Sequence, residues 1–251
     1  MSGRRQILLA LTLAWLGACR ENGSDVPSAP TQLPESASES APEPVAEKSE
    51  PVAENVSETL PGTYAQICAA CHGPAGEGNA LLEAPSIAGL PEWYSREQIE
   101  KFRSGARGSH PEDLPGLRMR AIALALDESQ IATAAASVAL FAARPTTAPA
   151  ESVELESGRY LYANRCMECH RYNGRGEIAF RSPPLISLNP AYLARQLRNF
   201  RDGRRGSTEG DLYGAKMVEV TRRLGDKEID QIVDYLGALA HGDDPRMARE
   251  R

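Results

Sequence analysis

Two five-residue stretches carry the most specific chemistry in this chain. Cys68-Ala69-Ala70-Cys71-His72 and Cys166-Met167-Glu168-Cys169-His170 both read Cys-x-x-Cys-His, the attachment signature of a c-type haem. The spacing has a mechanical reason. Two thiols three residues apart lie on one helical turn, where they can meet the two vinyl groups of a haem as thioethers. The histidine that follows at once then offers its imidazole to the iron from the proximal side. A thioredoxin-like redox pair would leave that histidine unexplained in both stretches, and the chain lacks the α/β pattern such a domain needs. A four-cysteine zinc site is possible on count, but each pair sits in its own repeat.

The repeat is gap-free: residues 64–142 recur as 162–240 at a constant offset of 98. Identities run from Tyr64/Tyr162, through both motifs, to Pro85/Pro183, Tyr94/Tyr192, Gln98/Gln196, Phe102/Phe200, Arg107/Arg205, Gly116/Gly214 and Met119/Met217. The chain therefore holds tandem copies of one domain, expected at 60–143 and 153–243 with a linker at 144–152. The repeat also selects a second axial ligand. Met119 and Met217 each stand 47 residues beyond their histidine. Met1, Met167 and Met247 are poorly placed, whereas His110 and His241 have no histidine at the matching position of the other copy. The competing role for Met119 and Met217 is to fill gaps in a core. Arg107 and Arg205 follow a helix-ending glycine in both copies. Each is either a solvated arginine favoured by the helix dipole or a guanidinium paired with a haem propionate.

Helices must position these groups. Thr63–Cys71 reads as a short helix, Ser95 and Gln98 as a capping box opening a helix that ends near Gly105, and Asp127 with Gln130 as the start of the last helix. In that last helix Ile131, Ala135, Val138 and Phe141 keep helical spacing. In the second copy Asn189 and Asp226 are the expected caps and Gly242 the stop. Strands should be scarce. With 41% hydrophobic and 6% aromatic residues in 251, two small helical cores fit better than one large one. The arginines at 195, 198, 201 and 204 form either a docking face for an acidic redox partner or a solvated helix face.

The amino-terminal quarter has another purpose. Arg4-Arg5, the apolar run Ile7–Leu16 and Gly17-Ala18-Cys19 describe an export signal over residues 1–18. The run is too short to span a bilayer, which takes about 20 residues of helix. Leu16-Gly17-Ala18-Cys19 resembles a bacterial lipobox, which implies a lipid on Cys19 and a membrane-anchored chain; a plain cleaved signal is the alternative. Residues 20–60 carry six prolines, no aromatic and a net charge of -7. We expect a disordered tether at 19–59, because such a segment cannot bury enough apolar surface to offset its ordering entropy. Residues 61–251 sum to only -1, which gives no drive toward nucleic acid. A charged tail, 244–251, closes the chain.

Over residues 60–243 both halves resemble class I cytochrome c domains, and their tandem order resembles the two-haem cytochromes of the c4 type. The resemblance implies an all-α fold, two covalently attached haem c groups with His–Met iron, and electron transfer as the activity. It places Pro85 and Pro183 where a proline carbonyl accepts from the proximal histidine, although a helix-blocking turn would use proline equally well. It places Tyr94, Tyr192, Phe102 and Phe200 beside the haems. A glycine meeting an aromatic where the first and last helices cross is matched in copy two by Gly158 and Tyr235. Copy one has Leu60 and Ser137 there, an inverted size pair. The expected role is a lipid-anchored carrier on the periplasmic side of a bacterial membrane. Its expected partners are a quinol-oxidising complex or dehydrogenase upstream and a terminal oxidase downstream. The alternatives are a subunit of a dehydrogenase or oxidase complex, and a two-haem enzyme acting on peroxide or a sulfur compound.

Overall fold

Each half leads a helical segment into its attachment motif, and in the first half the backbone there winds wider than an ordinary helix. The structure, a computed structural model, describes residues 62–143 and 155–242. The expected signal, Cys19, the tether, Leu60, the linker and the tail lie outside the described residues. A π-helical turn, Tyr64–Cys68, runs into the one-turn helix α1 (Ala69–His72). Then follow α2 (Glu92–Ser104), α3 (Leu114–Leu124) and α4 (Glu128–Leu140). The second half repeats the order with α5 (Leu155–Arg165), α6 (Met167–His170), α7 (Pro190–Arg201), α8 (Leu212–Thr221) and α9 (Asp226–Ala240). Among the described residues there is no strand. Two isolated antiparallel bridges, Asn79–Ala84 and Glu177–Ser182, close equivalent loops.

Local chemistry sets the helix ends. Asp127 accepts from the Gln130 N–H at 2.8 Å, and the Gln130 side chain accepts in return from the Asp127 N–H at 2.9 Å, the reciprocal cap expected from the sequence. Asp113 and Asp211 cap α3 and α8 through the N–H groups of Gly116 and Gly214. Gly105, at φ 83°, ends α2 where expected. Three expectations need correction. The helix holding Ser95 starts three residues earlier, after Pro91, so Ser95 and Gln98 are buried interior positions and not caps. Asn189 stands at the cap position of α7 but caps nothing; its side-chain oxygen accepts from the backbone N–H of Ser86 in the other half. Asp226 is the first residue of α9, and Glu228 reaches back to the N–H of Gly225 at 2.8 Å.

The last helix of each half forms its core. Ile131, Ala135 and Val138 are buried on α4, and Ile229, Ile232, Val233, Tyr235 and Leu236 on α9. Each large side chain so buried contributes about 1.5–3 kcal/mol. Helix α9 crosses α5 at Gly158, where an added Cβ would lie 2.1 Å from the Gln231 carbonyl oxygen and 2.9 Å from Tyr235 Cβ. Only a hydrogen fits there. In the first half the matching Ser137 is buried, and its hydroxyl donates to the Thr133 carbonyl at 2.7 Å. The aromatic contact has moved one turn along: Tyr162 meets Tyr235 at 5.5 Å between ring centres, whereas Tyr64 meets Phe141 edge-on at 4.8 Å.

Candidate haem sites

The turn Tyr64–Cys68 and helix α1 bring Cys68, Cys71 and His72 to one wall of a cavity of about 230 Å³; Met119, on α3, also lines it. Cys166, Cys169 and His170 line a second cavity of about 170 Å³ together with Met217, on α8. Apolar side chains line the rest, among them Ile87, Leu90, Phe102 and Val138 in the first and Leu185, Leu188, Phe200 and Leu236 in the second. Every cysteine, histidine and paired methionine singled out by the repeat thus reaches a cavity. His110 and His241 line neither.

The histidines are pre-set as ligands. His72 Nδ1 lies 2.9 Å from the Pro85 carbonyl oxygen and His170 Nδ1 lies 3.0 Å from that of Pro183. A carbonyl only accepts, so Nδ1 carries the proton and Nε2 keeps its lone pair for a metal. Burial pushes both imidazoles below their ordinary pKa, against the opposing effect of those bonds. Both are therefore neutral near pH 7. The prolines reach the histidines because the intervening loop folds back through Gly78 and Gly176. An added Cβ at either would meet backbone atoms at 2.5 Å or less. Tyr64 and Tyr162 support the same loops, donating to the carbonyls of Gly73 and Arg171 at 2.7 Å. The thiols speak against a redox pair. Burial pushes Cys68 up to about 11 and Cys166 up to about 12, whereas a reactive Cys-x-x-Cys needs a lowered value.

Between the cavities lies a polar partition. Arg107, 6% exposed, donates to Gln98 at 3.0 Å within its own half and to Tyr192 at 2.7 Å and Gln196 at 3.1 Å in the other. Arg205 mirrors it, donating to Gln196 at 2.7 Å and Gln98 at 2.9 Å. Each guanidinium also stacks 4.4 Å over a phenylalanine ring of its own half, Phe102 or Phe200. Neither arginine is a solvated helix-end residue. Tyr94 and Tyr192, expected beside their own haems, line both cavities. Burial alone would raise the Tyr192 phenol; Arg107, Arg205 and Arg195 outweigh it and hold the phenol below its ordinary value. Gln98, Gln196, Asp113 and Asp211 were not assigned these roles from sequence, although their identity at matching positions was visible.

The arginine row is not a free docking face. Arg195 pairs with Glu83, Arg198 with Asp226 and Asp230, Arg201 with Asp202 and Asp226, and Arg204 with Glu112. The row is engaged within the molecule, because acids from α9 and from the first half lie against it.

The residues present fit a haem in each cavity. Two thiols and an unprotonated Nε2 stand with a thioether on a mostly apolar lining whose polar groups gather at the partition and the rim. Arg107 adds a buried Nε with no hydrogen-bond partner, a donor suited to an anionic group.

The fold and these sites define a cytochrome c. The cytochrome c family model matches residues 62–136 and 155–240, and the chain belongs to that family. Its two halves make it cytochrome c4-like. It is 30% identical over 184 residues to cytochrome c4 of Azotobacter vinelandii, covering 70% of this chain and 85% of the relative. It is 32% identical over 180 residues to a thiosulfate dehydrogenase electron acceptor of Stutzerimonas stutzeri, covering 68% and 78%. Among solved structures, reduced cytochrome c4 from Pseudomonas stutzeri superposes with a TM-score of 0.57 at 26% identity, over 71% of this chain and 97% of that one. A thiosulfate dehydrogenase from Marichromatium purpuratum gives 0.56 at 32% identity over 68% of this chain, which spans only 36% of that longer protein.

Proposed function

We propose that this chain is a two-haem electron carrier, lipid-anchored through Cys19 on the periplasmic side of a bacterial membrane. The observation that carries this reading is the pair of cavities, each with two thiols, a carbonyl-braced imidazole and a methionine, in a member of the cytochrome c family. Cys68, Cys71, Cys166 and Cys169 hold the two groups covalently. His72 with Met119, and His170 with Met217, would hold the iron of each group. A haem held in each cavity would supply one reversible electron, at the comparatively high potential that histidine and methionine ligands favour. The protein braces the imidazoles through Pro85 and Pro183, keeps water from the cavities, and offers Arg107 and Arg205 to the carboxylates at the haem edge. With a histidine and a methionine offered to each iron by the protein, no open position would be left for substrate, which favours a carrier over an enzyme. The likeness to an electron acceptor of thiosulfate dehydrogenase supports a dehydrogenase upstream; a terminal oxidase is the proposed recipient.

Mass spectrometry of the mature protein should reveal two added haems and a lipid on the first residue. Met119→Ala and Met217→Ala should each abolish one methionine–iron charge-transfer band while leaving covalent haem in place. Unchanged spectra in both variants would refute the ligand assignment, and a high-spin ferric haem in the unmodified protein would favour the enzyme.

A further inference from the structure

The contacts across the partition are reciprocal. Arg107 reaches Gln196, and Arg205, its repeat mate, reaches Gln98. Reciprocity of this kind describes a two-fold, self-complementary face. Built of these residues alone, the face of one half would accept a second copy of itself as readily as the other half.

The rim breaks that symmetry. At the matching positions 83 and 181 stand glutamate and arginine, and at 97 and 195 again glutamate and arginine. Arg195 donates to Glu83 Oε1 at 3.0 Å and to its carbonyl oxygen at 2.9 Å. At the symmetry-related place Arg181 pairs with Glu97 and lies 4.6 Å over the ring of Trp93. In both bridges the acid belongs to the first half and the base to the second. Arg204 with Glu112, at 2.7 Å, adds a third of the same sense; Lys101 with Asp211, at 2.9 Å, runs the other way. The backbone agrees. Asn189 accepts from the Ser86 N–H, whereas the mates of these two residues are Pro91 and Pro184, which offer neither a side-chain acceptor nor an N–H.

We infer that the two faces are heterospecific: the first-half face takes a second-half face and rejects a copy of itself. Two first halves would set Glu83 against Glu97 on both sides of the axis and leave Ser86 facing Pro91. Two second halves would set Arg181 against Arg195 and leave Asn189 facing Pro184. Like charges so placed suppress the wrong pairing while the core of the face stays common to both.

The test uses the full haem-loaded chain. Glu83→Arg with Glu97→Arg makes both faces basic, and Arg181→Glu with Arg195→Glu makes both acidic. Each change installs the residue already carried at the matching position of the other half. Each double variant alone should be an extended monomer in size-exclusion chromatography with light scattering. Mixed one to one, they should form a complex of about twice the monomer mass, held at two faces at once. The quadruple variant, with the charges exchanged, should return to the compact monomer. If both double variants stay as compact as the parent and the mixture stays monomeric, the inference is overturned. Failure of the quadruple variant to recover the compact form overturns it equally, whether or not the double variants fold.

Discussion

Arg107 shows how much can depend on one side chain in a small core. Its buried charge is compensated by three oxygens and an aromatic face, and the owners of all four groups, Gln98, Phe102, Tyr192 and Gln196, also line the first cavity. Replacing it by glutamine leaves Tyr192 short of a donor in a poorly hydrated place, whereas Gln98 and Gln196 keep Arg205. Arg107→Gln should lower stability by about 1–3 kcal/mol, read from urea unfolding. It should also raise the Tyr192 pKa, read from phenolate absorbance, because the guanidinium that does most to lower it is gone. Sequence reasoning left this residue between two roles. Two of its partners, Tyr192 and Gln196, are contributed by a segment some ninety positions away, and a repeat comparison aligns equivalents, not partners.

Among the elements, the crossing of α5 and α9 is the contact with least tolerance. Gly158→Ala would drive a methyl into the Gln231 carbonyl, so the helices must part and the surrounding side chains repack. The expected loss is about 1–3 kcal/mol, read as a lowered denaturation midpoint with the haem spectrum unchanged. This crossing was legible in the sequence because glycine and tyrosine stand at family positions. The matching arrangement in the first half was not, since the aromatic that meets Tyr64 comes from Phe141, one turn beyond Ser137. Capping followed the same division. Asp127 with Gln130 could be read locally because both partners lie within one turn. Ser95 and Asn189 could not, because Pro91 had already opened one helix and a distant backbone group claimed the other side chain.

For the molecule as a whole, iron bound at Nε2 would remove the titration of His72 and His170, whereas in the haem-free chain pH acts through these two histidines before the arginine-paired carboxylates. Both imidazoles are held below their ordinary pKa by burial, so as pH falls the unfolded chain gains protons first. Their stabilisation is complete above about pH 6.5 and is lost as pH falls from there through the folded-state values. Glu128, Glu177 and Asp226, held low by arginine partners, start to matter only below about pH 4.5. Denaturation midpoints of the haem-free chain should therefore begin to decline near pH 6.5, well above the carboxylate range. A flat profile down to pH 5 would contradict it.

The wall between the cavities is common property. Tyr94, Gln98, Arg107, Tyr192 and Gln196 border both chambers, so a change at any of them is felt on either side. Tuning one centre without disturbing its neighbour means working from the far walls, around Met119 and Ile122 or Met217 and Val220. Duplication supplied two rooms, but a shared party wall keeps them from being remodelled separately.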